Sequence, residues 1–562
     1  MKTPYGESNF KKVISQGFIY IDKTAYIAKL EDHGSYHFLL RPRRFGKSLF
    51  ISMLEHYYDV QRTDEFAALF GKLYIGQHPT PLKNTYQVLF MEFSGIETGS
   101  HAQVFNGFNA NTSLHLQAFL ERYGYGDAAI AGLANYQTPA DKMKYVFTLA
   151  NNQKILLLID EYDHFANALL AEDPGLFQSV MGKGGFVRSF YETIKTATQR
   201  GTVDRLFITG VTPLMLDSLT SGFNIGKNLS LHQDFNTTMG FTQTEVVSLL
   251  QPLVEQCKLD ADTLLGDMAH WYNGYRFHPK AKETVYNANM VLYFLDNFRM
   301  EECAYPELML DDNIASDYRK IMALFHIGDR EANYQVLDEL INVGTVTAQQ
   351  QRKFELDKDF NRDAFISLLA YMGFVTIAGS TLTQTVFAIP NHVIRELYFQ
   401  YFKVELERRN QIRIPDQAVL QAIETLALHD DIQPLINEMQ GVLQLLSNRD
   451  FVKMDEKHVK TLLLTLLYQS PVYFIQSERE MNQRYPDILL LERSPYSVPH
   501  QHLIELKYGK KSAKADGWNA KRQEGIEQVH EYLQLPTIAA LPKLSVWVVL
   551  TNGEEVEVVK EK

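Results

Sequence analysis

From Phe18 to about Gly210, short apolar runs alternate with amphipathic stretches. "YHFLL" (Tyr36–Leu40), "TYQVLFMEFS" (Thr85–Ser94), "KILLLID" (Lys154–Asp160) and "RLFITGV" (Arg205–Val211) are brief, rich in Ile, Leu, Val and Phe, and bounded by polar segments. Runs apolar on both faces predict strands of a parallel sheet covered by helices. Between them, Lys47–Asp59 and Phe186–Arg200 carry helical spacing, so the organisation is α/β. From Gly240 to about Phe298 the pattern turns helical, and Thr242-Gln243-Thr244-Glu245 predicts a capping box. From about Met300 to Gln440 it remains mostly helical. One hairpin interrupts it over Phe374–Ile389, with its turn at Gly379-Ser380, which suggests a winged-helix-like module. Near Asp450 a third regime begins. Helix Asp455–Gln469 leads into strands at Val472–Glu478, Pro486–Arg493 and His502–Gly509, then helix Arg522–Leu533 and strand Leu544–Thr551.

A chain of 562 residues holds about three or four domains of ordinary size. Hydrophobic residues at 45% and charged residues at 22% describe a globular composition. The net charge of -12 excludes a globally basic nucleic-acid coat but leaves room for a local basic groove. Cys257 and Cys303 belong to no CxxC, so neither a disulfide framework nor a structural zinc site is expected, and a reducing compartment fits best. The start, "MKTPYGESNFKK", carries no apolar leader. The longest greasy stretch, Thr461–Ile475, falls short of the roughly 18 residues of a membrane span and is broken by Gln469, Ser470 and Pro471. It reads as a buried helix running into a strand, and a cytoplasmic protein with no membrane partner is expected.

Candidate chemistry begins at "RPRRFGKS" (Arg41–Ser48). A phosphate-binding loop needs a glycine, four residues, then Gly-Lys-Ser/Thr. Gly46, Lys47 and Ser48 are in place, but Arg41 stands where the first glycine belongs, so the backbone there must avoid positive φ or carry strain. Lys47 can reach the β and γ phosphates and the Ser48 hydroxyl can ligate Mg2+. The following helix adds the positive end of its dipole. Arg43 and Arg44 bring charge near the phosphates. "LLLIDEYD" then ends a buried strand in acids: Asp160 is placed to hold Mg2+ and Glu161 to polarise the attacking water. Thr209 and Thr212, ending the next strand, are candidates to sense the γ-phosphate; capping a strand is an equally ordinary role for Thr209.

Seven segments in order, "YIDKTAYI", "FLLRPRRFGKSL", "LIDEYD", "FITGVTPL", "SGFNIGKNLS", "GFTQTEV" and "WYNGYRF", resemble the AAA-ATPase-like family of prokaryotic proteins. These are P-loop ATPases often fused to a C-terminal PD-(D/E)XK nuclease-like domain. The resemblance implies an ATP site on Lys47, Ser48, Asp160 and Glu161 and makes Arg41 typical of the loop; with the loop's own Arg44 and Gly46 these are the candidates to bind ATP and Mg2+. Asp163 matches too, either orienting Arg44 or forming a structural ion pair. Arg276 is a candidate to swing over the γ-phosphate from a lid, with Arg188 as its rival and a packing role open for both. Asp22-Lys23-Thr24 could line the pocket. Such ATPases often act across subunits, so a homo-oligomer is a further expectation.

The nuclease-like chemistry needs two carboxylates and a lysine at strand ends, the acids binding Mg2+, or Mn2+ in its place. Asp487 opens one strand. Glu505 and Lys507, two apart, share one face of the next. Glu456 on the preceding helix and Glu478 are candidates to complete the acidic set, and Gln528 and Tyr532 to face it. Surface ion pairs would give the same spacing. The basic stretch Lys510–Arg522 could meet phosphates, or be a solvated loop.

The expected architecture is therefore α/β: a P-loop NTPase parallel sheet over 1–238, a helical lid over 239–300, a mostly helical connector over 301–440, and a restriction-endonuclease-like domain over 441–562. The expected function is an ATPase regulating a metal-dependent nuclease, with DNA favoured over RNA and mobile-element or phage defence as a setting. The alternative is an ATP-dependent regulatory or scaffold protein whose nuclease-like domain only binds nucleic acid or protein.

Overall fold

The computed structural model describes residues 2–215, 225–352, 354, 360–447, 455–477, 486–509 and 515–562. It divides into two compact units. The first comprises Met1–Asp296, Leu310–Leu337 and Thr345–His392, and the second Asn297–Met309, Asp338–Gly344 and Val393–Lys562. The helical middle, expected as a connector over 301–440, is thus shared out between the units. Among the described residues, no helix is long and apolar enough to cross a membrane.

The first unit is built on five parallel strands: β1 (Tyr36–Leu40), β2 (Gln87–Glu92), β3 (Ile155–Asp160), β4 (Val203–Gly210) and β5 (Lys227–Asn228). Their order is β2-β3-β4-β1-β5. Every side chain of β3 is buried, as a strand covered on both faces requires. The helices α1 (Lys47–Tyr58), α2 (His101–Arg122), α3 (Pro139–Leu149) and α4 (Phe186–Gln199) cover the sheet. This is a P-loop NTPase-like sheet, and β4 separates the loop-bearing strand β1 from the acid-bearing strand β3.

Beyond the sheet, α5 (Gln243–Cys257) starts with the expected capping box between Thr242 and Glu245. The helices α6 (Ala288–Asn297), α7 (Asp312–Ile321) and α8 (Arg362–Met372) follow. The expected hairpin forms from β7 (Thr376–Ser380) and β8 (Thr385–Ala388), but its turn is closed by Thr381 N–H on the Gln384 carbonyl at 2.8 Å. Gly379 and Ser380 lie instead within β7, beside a register shift. A third strand, β6 (Thr345–Ala348), pairs with β8.

The second unit holds a five-stranded mixed sheet in the order β13-β12-β11-β10-β9. Its strands are β9 (Tyr473–Ser477), β10 (Ile488–Glu492), β11 (Gln501–Tyr508), β12 (Leu544–Thr551) and β13 (Val556–Lys560). Only β11 and β12 run parallel. Alternation splits the central strands between two cores. Ile488, Leu490, Ile504 and Leu506 join the side chains of α9 (Asp416–His429), α10 (Gln433–Ser447) and α11 (Glu456–Leu467). Leu489, Leu503, Val546 and Val548 pack with Val529 and Tyr532 of α12 (Ala515–Leu533) on the other face. Helices of the second half of the middle region therefore belong to the core of this sheet.

Glu245 serves two partners. Its carboxylate accepts the Thr242 N–H at 2.7 Å and the Lys23 ammonium at 2.8 Å. Replacing Glu245 with Ala should lower stability by about 1–2 kcal/mol, read as a melting temperature several degrees down, whereas Glu245→Gln should keep the cap and lose less.

Candidate active sites

The turn after β1 is shaped by its backbone. Arg44 and Gly46 adopt left-handed φ values of 68° and 93°, and Gly46 caps α1. Arg41 has no positive φ, so a glycine is not needed there. A cavity of about 460 Å³ opens over this turn. Arg43, Arg44, Gly46, Lys47, Ser48 and Glu161 line it, together with Lys23 and the N-terminal stretch around Pro4–Ser8.

Lys47 is buried, and its ammonium donates to the carbonyls of Arg41 at 3.2 Å and Pro42 at 3.0 Å. Burial pulls its pKa down, opposed by Glu161, Asp160 and Asp163. Asp160, at the end of β3, is pushed up by burial while a hydrogen bond from Ser48 and the Lys47 charge hold it down. Hydroxyl and carboxylate are thus already paired, which is the donor set a Mg2+ ion accompanying a nucleotide takes up. Asp160 also accepts the Glu161 N–H at 2.9 Å, and Glu161 bends to a left-handed φ of 46° that turns it to the cavity. For a residue with a Cβ, that backbone is costly and is typical of a site held by its surroundings.

The three arginines separate by role. Arg41 is only 1% exposed and does not line the cavity. Its guanidinium donates to the carbonyls of Leu40 and Ser230, each at 2.8 Å, and of Phe235 at 2.5 Å, and stacks on the Phe277 ring at 4.0 Å. Burial pulls its pKa down to about 9. Arg44 donates through Nε to Asp317 of α7 at 2.7 Å, and Arg43 reaches the same carboxylate at 3.4 Å. Asp163 does not orient Arg44. It is buried and accepts the N–H groups of Val211 at 3.1 Å and Thr212 at 2.6 Å and the Asn167 amide at 2.7 Å, so it anchors the end of β4.

Other expected residues lie elsewhere. Thr209 is fully buried and spends its hydroxyl on the Leu39 carbonyl at 2.6 Å, tying β4 to β1. Arg276 does not line the nucleotide cavity; its backbone N–H donates to Thr376 at 2.7 Å, beside β7. Arg188 pairs with Glu192 one turn along α4. Of Asp22, Lys23 and Thr24, only Lys23 reaches the cavity, since Asp22 holds the Thr24 and Tyr74 N–H groups. Two cavity residues had no motif to announce them: Asp317 and Asn289. Asn289 stands at the start of α6, donates its N–H to the Arg44 carbonyl at 3.2 Å, and leaves its buried side-chain amide unpartnered.

In the second unit, pairing of Ile488 with Ile504 sets Asp487 beside Glu505 at the next step of the ladder. Asp487 accepts the Leu506 N–H at 2.8 Å and the Lys460 ammonium at 3.4 Å. Lys507 donates to Glu505 at 2.7 Å. Asp487, Glu505 and Lys507 are each no more than 5% exposed. Burial and then the Asp487 charge push Glu505 up to about 7, against the pull of Lys507. Lys507 loses by burial but ends raised, through Glu505, Glu456 and Asp487. Two buried acids under that penalty fit a divalent cation, which would relieve it.

Glu456 spends one oxygen on the Tyr508 N–H at 3.2 Å, beside the cluster. Among the described residues, the group of three ligand atoms gathered within 4.8 Å lies elsewhere, so Glu456 does not close with Asp487 and Glu505 into such a group. Glu478 lies outside the described residues, as does much of the basic stretch from Lys510. Tyr532 sits in the apolar core, and Gln528 keeps a buried, unpaired Oε1 on the same helix. Gly525 of α12 went unnoticed in the sequence: a Cβ there would lie 2.6 Å from Val548 and 3.3 Å from the Lys507 side chain.

Residues 4–220 match the family model described as a predicted AAA-ATPase. Residues 454–561 match that of the PD-(D/E)XK nuclease superfamily. The chain thus carries one segment similar to the predicted AAA-ATPase family and one similar to the PD-(D/E)XK nuclease superfamily. It is similar to an uncharacterized protein in the vnfD 5' region of Azotobacter chroococcum mcd 1, at 27% identity over 288 residues. That match covers 51% of this chain and 50% of the relative, so the chain spans about half the length of the curated relative it matches. The solved structure of the Aeropyrum pernix ORC1 protein in complex with DNA is similar at 10% identity, covering 68% of this chain and 93% of that one with a TM-score of 0.24.

Two measurements check these assignments. Arg41→Met should lower the melting temperature markedly, by about 3 kcal/mol of stability, because carbonyls lose their buried donor; Arg43→Ala should scarcely move it. Glu505, raised in the folded state, adds stability in full below the ordinary glutamate range and loses it as pH climbs through about 7. In chelator, wild type should therefore lose melting temperature between about pH 5 and pH 8, and Glu505→Gln should flatten that slope.

Proposed function

We propose that the first unit binds and hydrolyses ATP and that the second cleaves nucleic-acid phosphodiesters with a divalent metal, the first regulating the second. One observation carries the reading: each unit gathers a lysine and two acids at its sheet, after β1 and β3 on either side of β4 and beside a cavity in the first, and at β10 and β11 in a nearly dry cluster in the second. The two family matches support the same pair of activities.

In the first unit, the Lys47 ammonium leaves the Arg41 and Pro42 carbonyls for the β and γ phosphates. Arg43 and Arg44, now shared on Asp317, add charge at the mouth. Ser48 and Asp160 would hold Mg2+, which supplies charge neutralisation at the phosphates. Glu161, carried by its left-handed backbone to the cavity wall, orients and deprotonates the attacking water.

In the second unit, Asp487 and Glu505 would hold Mg2+ or Mn2+, which polarises a phosphodiester and lowers the pKa of water. Lys507 stabilises the charge that develops on the phosphate. Lys460 pairs with Asp487 from the helix side. DNA is the favoured substrate, with defence against mobile elements or phage as the setting.

Lys47→Ala and Glu161→Gln should each reduce ATP turnover by at least about a hundredfold. Turnover equal to wild type in both would dismiss the ATP site. Asp487→Ala and Lys507→Ala should abolish Mg2+- or Mn2+-dependent cutting of DNA while ATP turnover persists. A wild type that cuts neither DNA nor RNA with either metal, with and without ATP, would leave the binding-only reading in its place.

A further inference from the structure

A group of side chains beside β5 takes no part in the nucleotide site. His33, His232 and Asp234 each bring one ligand atom within 4.8 Å of the others. His33 Nε2 lies 3.7 Å from Asp234 Oδ2, and His232 Nδ1 lies 3.8 Å from the same oxygen.

Hydrogen bonds decide which ring nitrogens carry lone pairs. The Lys29 carbonyl, 2.8 Å from His33 Nδ1, can only accept. Nδ1 therefore carries the hydrogen, and Nε2 turns a lone pair toward Asp234. The Asp234 backbone N–H, 3.3 Å from His232 Nδ1, puts that ring's hydrogen on Nε2 and leaves the Nδ1 lone pair in a long hydrogen bond that a metal would replace. Three side-chain acceptor atoms then face one another with only the long Asp234 backbone N–H contact beside them, and a cation between them relieves their repulsion. The arrangement is held in place: Phe235 packs edge-on against His33 at 4.9 Å and His232 at 5.8 Å, and the two imidazoles lie 5.0 Å apart.

We propose that His33, His232 and Asp234 bind a divalent first-row transition ion, Zn2+ foremost. Two imidazoles and a carboxylate suit such ions, whereas Mg2+ takes oxygen shells. The Lys29 carbonyl behind His33 is the outer partner that orients a metal-bound histidine. Side-chain exposures of 20% for His33, 37% for His232 and 58% for Asp234 leave the remaining coordination positions to water. The ion has a structural task. His33 caps the C-terminal end of the helix Ala25–Asp32, while His232 and Asp234 belong to the segment whose Ser230 and Phe235 carbonyls receive Arg41. Bound there, it fastens the helix end to the segment that supports the phosphate loop.

The test uses the full chain in excess Mg2+, which occupies the carboxylate sites. Zn2+ retained after gel filtration is measured by elemental analysis, and melting temperature is followed as Zn2+ is added. Wild type should retain one Zn2+ and melt higher with it. His33→Gln, His232→Asn and Asp234→Asn should each bind at least about tenfold more weakly, yet melt like wild type in chelator, which shows the fold intact. A Co2+ titration should give a d–d absorption band in wild type that the His33 and His232 variants lack. Variants that retain as much Zn2+ as wild type would overturn the proposal. So would a wild type that retains none and whose melting temperature instead follows pH through the histidine range, which would make a proton the shared cation.

Discussion

The buried guanidinium of Arg41 is the constraint around which the first unit is arranged. A cation removed from water costs several kcal/mol unless hydrogen bonds compensate it, and Arg41 meets that cost through its two terminal nitrogens while its buried Nε is left without a partner. Here the compensation comes from peptide carbonyls and an aromatic face; among the described residues no carboxylate pairs with it. Those carbonyls belong to the end of β1 and to the segment after β5. Arg41 therefore stitches the start of the phosphate loop to a distant part of the chain. The loop's left-handed turns at Arg44 and Gly46 rest on a base that cannot drift without exposing a charge to an apolar core.

The two units use one physical device in opposite ways. In the first, Lys47 rests on carbonyls of its own loop, so the ammonium is kept partly solvated by dipoles and can exchange them for phosphate oxygens. In the second, Lys507 is committed to Glu505, and the acids are crowded to the point that one resists ionisation near neutral pH. The first arrangement is ready for an anion. The second is ready for a cation. Each is set at strand ends, where parallel or mixed sheets leave backbone N–H groups and side chains converging.

Much of this was legible in the residues. Strands apolar on both faces announced the parallel sheet, and the pairing of Glu505 with Lys507 on one face followed from the two-residue period of a strand. The capping box at Thr242 was readable because its partners are three residues apart. What stayed hidden depends on tertiary contacts. Nothing local to Arg41 says that its partners lie about 190 residues on. Asp317 reaches the phosphate loop from a helix with no motif, and Lys460 reaches Asp487 from a surface that reads as amphipathic. Thr209 ends its strand as expected of a sensor, but the neighbouring Leu39 carbonyl takes its hydroxyl. The hairpin turn slipped because Gly379, a common turn residue, serves here at an irregularity in the strand.

Gly525 carries a consequence for how such a site can be lost. Its hydrogen, in place of a methyl, leaves room for Val548 and for the Lys507 stem, which a Cβ would meet at 2.6 and 3.3 Å. A drift from glycine to alanine at that position would press on Val548 first and on the lysine stem beside it while leaving every acid intact. An inventory of the chemical groups would then still count a complete set in a protein whose geometry had been silenced from the opposite helix. Among relatives of this chain, the residue facing the lysine is thus as telling about competence as the acids themselves.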